Sequence, residues 1–381
     1  MLNTTMTKMD WRAGSWWGKI NIIGFMLYGS LSAQTADTCR NAEITFVTSA
    51  LERIVDNPAE VLADEEAFWE EEDAQKYVEA WGRSVGVSIE RDPWRKSLQQ
   101  LADMTKEERA RSPLLKMTAE VIAQKEDFRS LALPHLCSYL PKGIALDIPV
   151  YFTAYVPPRC FVTGGVVFNV SADYWKGNTQ NILNSLVHEL FHVGYSRNRQ
   201  YRREQPGKDD QLFAMMESLQ NEGTATWVGY QAQSLFPAPD EKDYSMLDDV
   251  DEVTRQLGEV NTLFAEVGSL PDREMKKMSW DIGVEQRAYY IVGAHMASVI
   301  ERGEGRRALV HTIAMGPRAF IDTYNELVSG DRRIVYPDTA TVLERRKTRS
   351  NQQALQTLGF LALAVIIIGG GGWLLRRFRA F

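Results

Sequence analysis

A short stretch of this chain holds two histidines and a glutamate in the pattern HExxH, as His188, Glu189 and His192. The surrounding segment Asn181–Tyr195 (NILNSLVHELFHVGY) is amphipathic at helical spacing, with its apolar residues on one arc and the two histidines off that arc, one turn apart. Histidines at this spacing can bind one zinc ion, and the glutamate between them can reach a water molecule on the metal. The alternative is a structural role, in which the histidines only contact polar neighbours.

A catalytic zinc needs a third protein ligand and an open fourth position. No histidine lies between His192 and His295, so the third ligand is expected among the carboxylates of the next helical segment, Leu212–Gln231. Glu222 is favoured because small residues follow it and let this helix approach the zinc helix closely. Glu217 is the competitor, but five residues away on a helix it points about 140° from Glu222 and has bulkier neighbours.

The motif HELFH, followed at this distance by NEGTATW, resembles the gluzincin peptidases, whose third zinc ligand is a glutamate on a following helix. The chain is most similar to families described as putative zinc-dependent peptidases, over about Ile148–Gln231, with a weaker match at Tyr289–Val310. In gluzincins an acidic residue often follows the ligand glutamate by one turn and orients a histidine. That position is Thr226 here, so the residues that orient the ligands must differ.

The resemblance implies a metallopeptidase with one Zn²⁺ per chain, held by His188, His192 and Glu222. It implies that Glu189 is the general base, which takes a proton from a zinc-activated water and passes it to the leaving amine. The implied substrate is a peptide or protein.

A further hydrogen-bond donor should stabilise the oxyanion that forms during hydrolysis. Tyr290 and His295 are the candidates, and Tyr289 remains open, although each of these side chains can equally be a packing residue. The strand-like run Cys160–Val170, just before the zinc helix, can offer its edge to an extended peptide.

Two other kinds of function compete with a membrane-anchored peptidase. One is a catalytically inactive module that keeps the helix pair for binding or interaction. Retention of Glu189 speaks against it, because a structural zinc does not require that residue and normally has four protein ligands. The other is a zinc hydrolase of a non-peptide amide or ester, which HExxH alone does not distinguish from a peptidase.

The sequence patterns predict an α+β fold that is predominantly helical. In it, a gluzincin-like pair of zinc helices packs on a small β-sheet and positions these residues. Helical patterns run through Asn41–Arg129, including an amphipathic helix at Ala42–Val55, and return from Asn178. Between them lie two strand-like runs, Ile148–Val156 and Cys160–Val170. Gly164-Gly165 inside the second run indicates a bulge or the close approach of another backbone.

Both ends of the chain predict contact with a membrane. A basic start, an apolar run at 20–31 and small residues after it have the order of a secretory signal peptide, with an uncleaved anchor as the alternative. Thr357–Leu375 carries no charge and is long enough to cross a hydrocarbon core of roughly 30 Å as a helix. We expect a single-pass protein with its catalytic body extracytoplasmic; a cytosolic, tail-anchored body is the alternative. The predicted organisation is a signal peptide or anchor at 1–36, a helical region at 37–145, a metallopeptidase-like domain at 146–335, a juxtamembrane linker at 336–356, a transmembrane helix at 357–375 and a basic tail at 376–381.

The composition of the chain limits the kinds of partner and of scaffold that we expect. The 381 residues carry a net charge of -7, and such an acidic chain does not attract phosphate backbones, so nucleic-acid binding is not expected. The 3 cysteines are too few for a disulfide scaffold and lack CxxC spacing. Cys137 and Cys160 can pair in an oxidising compartment, which would leave Cys39 over.

Overall fold

The computed structural model describes residues 43–72, 74–76, 78, 91–155, 160–162, 165–175, 177–198, 211–338 and 340–358. The predicted signal peptide, the basic tail and all but the first two residues of the predicted transmembrane segment lie outside these residues. Over the part of the chain that is described, no helix is both long and apolar enough to span a bilayer.

The described chain is predominantly helical with one small sheet, which confirms the predicted α+β class. The strands are β1 (Glu43–Val47), β2 (Asp147–Thr153), β3 (Cys160–Val162) and β4 (Val166–Asn169). The helices are α1 (Ser49–Asp56), α2 (Pro58–Ala63), α3 (Glu65–Glu70), α4 (Arg91–Ala102), α5 (Lys106–Arg111), α6 (Pro113–Cys137), α7 (Thr179–Arg197), α8 (Gln211–Gln231), α9 (Lys242–Leu247), α10 (Val250–Ala265), α11 (Asp272–Ser279), α12 (Ala288–Glu304), α13 (Arg306–Met315), α14 (Pro317–Leu327) and α15 (340–358). A π-helical turn at Trp280–Glu285 precedes α12.

The sheet has the strand order β1-β2-β4-β3. The pairs β1–β2 and β2–β4 are parallel, and β3 runs antiparallel to β4. All four residues of β4 are buried, so both of its faces are covered, whereas β3 forms an edge. This edge strand lies beside α7, so, among the described strands, the one that ends the sheet is next to the helix that carries HExxH.

The predicted helix at Ala42–Val55 is wrong in its first part, because β1 occupies Glu43–Val47 and helix α1 begins only at Ser49. The run EITFV is rich in β-branched and aromatic residues, and Ile44 is fully buried against the sheet. Pairing with β2 therefore outweighs the helical periodicity of this short segment. It also carries the sheet across the predicted boundary at 145–146.

The run Cys160–Val170, predicted as one strand, folds back on itself as the antiparallel pair β3 and β4. The predicted close approach of another backbone at the glycine pair is confirmed for Gly165. A Cβ atom on this residue would lie 2.7 Å from the carbonyl oxygen of Pro149 on β2, closer than real Cβ atoms come. Only glycine fits beside the neighbouring strand here.

The small residue after Glu222 lies at a helix crossing, but not the one expected. A Cβ atom on Gly223 would lie 2.1 Å from the Cα atom of Gly293. Gly223 therefore permits the close approach of α8 and α12, whereas α8 packs against the zinc helix α7 through other residues. Because neither glycine has a side chain, the two helix backbones touch directly at this point.

The structure also describes Cys137, Cys160 and most of the segment 336–356. Cys137 is in a disulfide bond, whereas Cys160 is a thiol, so these two cysteines do not pair with each other. The segment predicted as a linker at 336–356 is mostly helical, and its first turn packs on the body: Val342 is buried, and the Arg345 guanidinium donates to the carbonyl oxygens of Ala265 (2.7 Å) and Val267 (3.1 Å).

Candidate metal centre

Helix α7 carries the HExxH residues on its less buried side. It begins at an Asn178 cap, whose side-chain oxygen accepts a hydrogen bond from the Gln180 backbone N–H at 3.0 Å. Its apolar arc is fully buried, including Leu186, Val187, Leu190 and Phe191. Burial of that arc fixes the rotation of the helix, so the intervening histidines face a cleft.

Two buried hydrogen bonds hold α7 against α8. The Asn184 amide donates to the Gly229 carbonyl oxygen at 2.9 Å, and the Tyr195 hydroxyl donates to Gln220 Oε1 at 2.8 Å. The two bonds bracket the level at which the HExxH histidines face Glu222. They thereby fix the register of the two helices on both sides of the candidate ligands.

The candidate ligands form a small triangle. His188 Nε2 lies 3.0 Å from His192 Nε2, and Glu222 Oε2 lies 3.8 Å from the first and 3.3 Å from the second. Tetrahedral zinc with bonds of about 2.0–2.1 Å separates its ligand atoms by about 3.3 Å. The donor types and the size of the triangle therefore fit zinc. Among the described residues, this is the group of three histidine, cysteine or carboxylate side chains able to hold a metal ion, and Glu217 does not belong to it.

The charges of this triangle are coupled in the metal-free protein. Burial opposes protonation of His192, but the adjacent Glu222 carboxylate outweighs it and raises the pKa of His192 to about 9. Burial likewise opposes ionisation of Glu222, yet the charge of His192 and hydrogen bonds from both histidines hold the pKa of Glu222 well below its usual range. The site without metal therefore holds a proton that a metal ion must displace.

Asn221, which was not predicted as a site residue from the sequence, orients the candidate ligand His192. His192 Nδ1 lies 3.0 Å from Asn221 Oδ1. Because the amide oxygen can only accept, Nδ1 donates, and Nε2 is the ring nitrogen that faces the other two ligand atoms. Thr226 does not orient a histidine, since its hydroxyl donates to the Glu222 carbonyl oxygen at 2.8 Å. The signal for Asn221 was only its place next to the predicted ligand.

The predicted general base shares the cleft with the ligands. Glu189 lines a cavity of about 420 Å³ together with His188, His192, Glu222 and Tyr290. The Cys160 thiol, on edge strand β3, donates to Glu189 Oε1 at 3.2 Å. The edge strand therefore forms one wall of the cleft, with the carboxylate of Glu189 between that wall and the candidate ligands.

Of the predicted oxyanion donors, only Tyr290 lies in the cleft. Its ring is nearly parallel to that of His188, at an interplanar angle of 10° and a centroid distance of 6.3 Å. Burial raises the pKa of Tyr290, and the Glu222 charge adds to the rise, so its hydroxyl stays protonated and able to donate.

The other two candidates from the same helix point elsewhere. His295 is not among the residues that line the cleft, and its ring lies edge-on to Tyr324 at 6.1 Å. Five helical positions separate it from Tyr290, a rotation of about 140°, so the two side chains do not face the same cleft. The Tyr289 side chain is buried, with its hydroxyl 2.7 Å from the Ser279 hydroxyl.

Arg287 is a second cleft residue that no spacing pattern indicated. Its guanidinium carbon lies 3.1 Å from the centroid of the Tyr290 ring, and its Nε is 3.0 Å from Asp243 Oδ1. Arg287 has φ +68°, a left-handed conformation that is uncommon outside glycine, and it directly follows the π-helical turn and Gln286. Both features are rare, and they coincide at a residue of the cleft.

Comparison with known proteins identifies the family to which the chain belongs. The family model described as putative zinc dependent peptidase (DUF5700) matches residues 55–332, and the chain belongs to this family. The match confirms the predicted kinship over Ile148–Gln231 and Tyr289–Val310 and extends it to α2–α6, to α9–α11 and to α14. No curated protein and no solved structure matches the chain.

Proposed function

We propose that this protein is a membrane-anchored zinc metallopeptidase. One observation carries the proposal: a triangle of two imidazole nitrogens and one carboxylate oxygen, 3.0–3.8 Å apart, shares a cleft with Glu189. Three protein ligands with an adjacent carboxylate are the donor set of a catalytic zinc, since a structural zinc normally has four. Membership of a family described as zinc dependent peptidases supports the same function.

His188, His192 and Glu222 would hold a zinc ion, which would supply Lewis acidity to polarise a carbonyl and to lower the pKa of a water molecule to about 7. Glu189 accepts the proton of the attacking water and returns it to the leaving amine. For this step the Glu189 carboxylate must be ionised, and its contact with the Cys160 thiol leaves the second oxygen to meet the water. The Tyr290 hydroxyl donates to the developing oxyanion.

The edge strand β3 gives the cleft a place for a substrate backbone. A peptide that pairs with β3 lies extended along one wall of the cleft. Because Cys160 of β3 contacts the Glu189 carboxylate, such a peptide lies next to Glu189. Hydrogen bonds between the main chains of the peptide and β3 then supply the binding. Because these bonds fix the register of the peptide on the strand, they also fix the distance of the scissile bond from the ligand triangle.

We further propose that the catalytic body is extracytoplasmic and held by the segment 357–375. The apolar sequence of that segment and the signal-like order of residues 1–36 support this topology. The disulfide bond of Cys137 also supports it, since such bonds persist in oxidising compartments. Protease added to intact cells should cleave the body; full protection would favour a cytosolic body anchored by its tail.

The proposal is tested by metal content and turnover in three variants. Elemental analysis should find about one zinc per chain in the wild type, in Glu189→Gln and in the control Glu217→Ala, and a loss of zinc in Glu222→Ala. Glu189→Gln should abolish cleavage of a peptide library. Loss of zinc in Glu217→Ala alone would move the third ligand. Full activity of Glu189→Gln would refute the mechanism, and a zinc-loaded wild type without peptidase activity would favour an interaction module or a non-peptide hydrolase.

A further inference from the structure

The charged side chains of the cleft form two balanced sets. Of the described residues that line it, Glu189 and Glu222 are acidic, and Arg287 carries the one arginine or lysine charge. The two charges of a zinc ion balance the two glutamates. Arg287 is balanced separately by Asp243, through bonds from its Nε to both carboxylate oxygens at 3.0 and 3.2 Å.

The pair Arg287–Asp243 is a fixed part of the fold. The Asp243 side chain is only 9% exposed and that of Arg287 26%, so each charge depends on the other for its stability. The pairing is two-pronged, because Nε and Nη2 of Arg287 both donate to the Asp243 carboxylate, and this gives the pair a defined geometry. The left-handed backbone at Arg287 holds the guanidinium over the Tyr290 ring, inside the cleft.

A peptidase that selects a chain end by its charge needs a partner of opposite, unbalanced charge in the site, because only then do the affinities for charged and uncharged ends differ. A terminal carboxylate entering this cleft would meet a cation that Asp243 already neutralises, with Glu189 nearby. A terminal ammonium would meet carboxylates whose charge the metal and Arg287 neutralise. The Glu241 carboxylate, in the adjoining pocket, is instead engaged by the Tyr174 hydroxyl and the Asp243 backbone N–H, which both donate to it. The described cleft thus favours neither end of a peptide.

We propose that the enzyme is an endopeptidase, which accepts uncharged internal stretches of an extended chain, and that the pair Arg287–Asp243 sets this preference. The inference rests on the proposed function. It is consistent with edge strand β3, because a peptide added to a strand edge continues past the site in both directions.

The test uses the zinc-loaded full chain and a library of mixed-sequence peptides in four forms: both ends free, N-acetylated, C-amidated and blocked at both ends. We expect internal cleavage in all four forms, located by mass spectrometry, with kcat/KM values that agree within about threefold. Release of residues from one end only, or a loss of about a hundredfold on blocking one end, would overturn the inference and leave the proposed function intact. Cleavage of none of the forms would refute the proposed function, and the inference with it.

Variants of the pair test its part in this preference. Asp243→Asn leaves Arg287 unbalanced and should raise the preference for free carboxyl ends over amidated ends by about tenfold. Arg287→Gln leaves Asp243 unbalanced and should instead raise the preference for free amino ends. The double variant should restore indifference. Glu126→Gln, which removes the carboxylate that pairs with Arg129 on the exposed side of α6, is the matched control and should change nothing.

Binding gives a second readout that does not depend on turnover. In the background of Glu189→Gln, the affinities of one amidated peptide and its free acid, measured by calorimetry, should be equal within about threefold. Asp243→Asn in that background should favour the free acid. Equal affinities after Asp243→Asn would refute the role of the pair.

Discussion

Removal of the Asn221 side chain should weaken zinc binding while leaving the three ligands in place. In the structure Asn221 Oδ1 accepts from His192 Nδ1 at 3.0 Å. The His192 side chain is only 12% exposed, so in Asn221→Ala water replaces the lost acceptor poorly. The imidazole then loses both its fixed orientation and the bond that keeps the proton on Nδ1, away from the metal-binding nitrogen.

The size of the effect follows from the type of contact. Loss of a partner that orients a metal-bound histidine costs about 10- to 100-fold in metal affinity, which corresponds to about 1.4–2.7 kcal/mol. The net value of one hydrogen bond, about 1 kcal/mol, accounts for part of this. The rest comes from the rotational and tautomeric freedom that the ring of His192 regains.

Competition with a chelator of known affinity measures the change directly. Asn221→Asp keeps an acceptor oxygen and should bind zinc at least as tightly as the wild type. Ser218→Ala, one turn earlier on α8, is the matched control and should leave the affinity unchanged. An affinity of Asn221→Ala within about threefold of the wild type would refute the assignment of Asn221 as the residue that orients His192.

Two more predictions concern protonation and packing. The metal-free protein raises the pKa of His192 from 6.5 to about 9, so zinc binding at pH 7.5 should release about one proton and should tighten about tenfold per pH unit until pH 9. Calorimetry in buffers of different ionisation enthalpy would measure the number of protons released. Zinc binding without proton release would contradict the prediction. The same shift stabilises the metal-free fold fully below pH 6.5, and this stabilisation should be lost as the pH rises through 9. Gly223→Ala places a Cβ atom 2.1 Å from the Cα atom of Gly293 and should lower the free energy of unfolding by about 3 kcal/mol or more. The control Gly258→Ala, in a helix with no atom within 4 Å of the new Cβ, should be neutral or stabilising by up to about 1 kcal/mol in the same melts; equal melting temperatures for the two variants would contradict the packing argument.

The sequence was informative wherever the geometry is local. His188 and His192 come together because positions i and i+4 of a helix are neighbours, and helical rotation separates Glu222 from Glu217 by about 140°. The glycine after Glu222, however, contacts α12 and not the zinc helix. The contact of Asn221 with His192 depends on the register of α7 and α8, which is set by hydrogen bonds between distant residues. No periodicity encodes such a register.

The errors have the same origin. Strand β1 was read as a helix because five residues are too few to separate the two periodicities, and its pairing partner β2 lies about a hundred residues further along the chain. Arg287 was missed because its place in the cleft depends on a π-helical turn, a left-handed backbone and Asp243 together. Helical rotation of about 140° within α12 separates His295 from Tyr290, so only one of the two predicted donors lies in the cleft.

The crossing of α8 and α12 connects the stability of the fold to the geometry of the site. Gly223 directly follows Glu222, and Gly293 lies about one turn after Tyr290, so the contact between the two glycines sets the distance between a candidate ligand and the candidate oxyanion donor. A side chain at either glycine must push the two helices apart, because the obstructing atoms are backbone atoms. The parallel rings of Tyr290 and His188 depend on the same spacing. A variant at this crossing that still folds should therefore keep its zinc, since α7 and α8 hold all three ligands, and lose turnover, since α12 holds Tyr290.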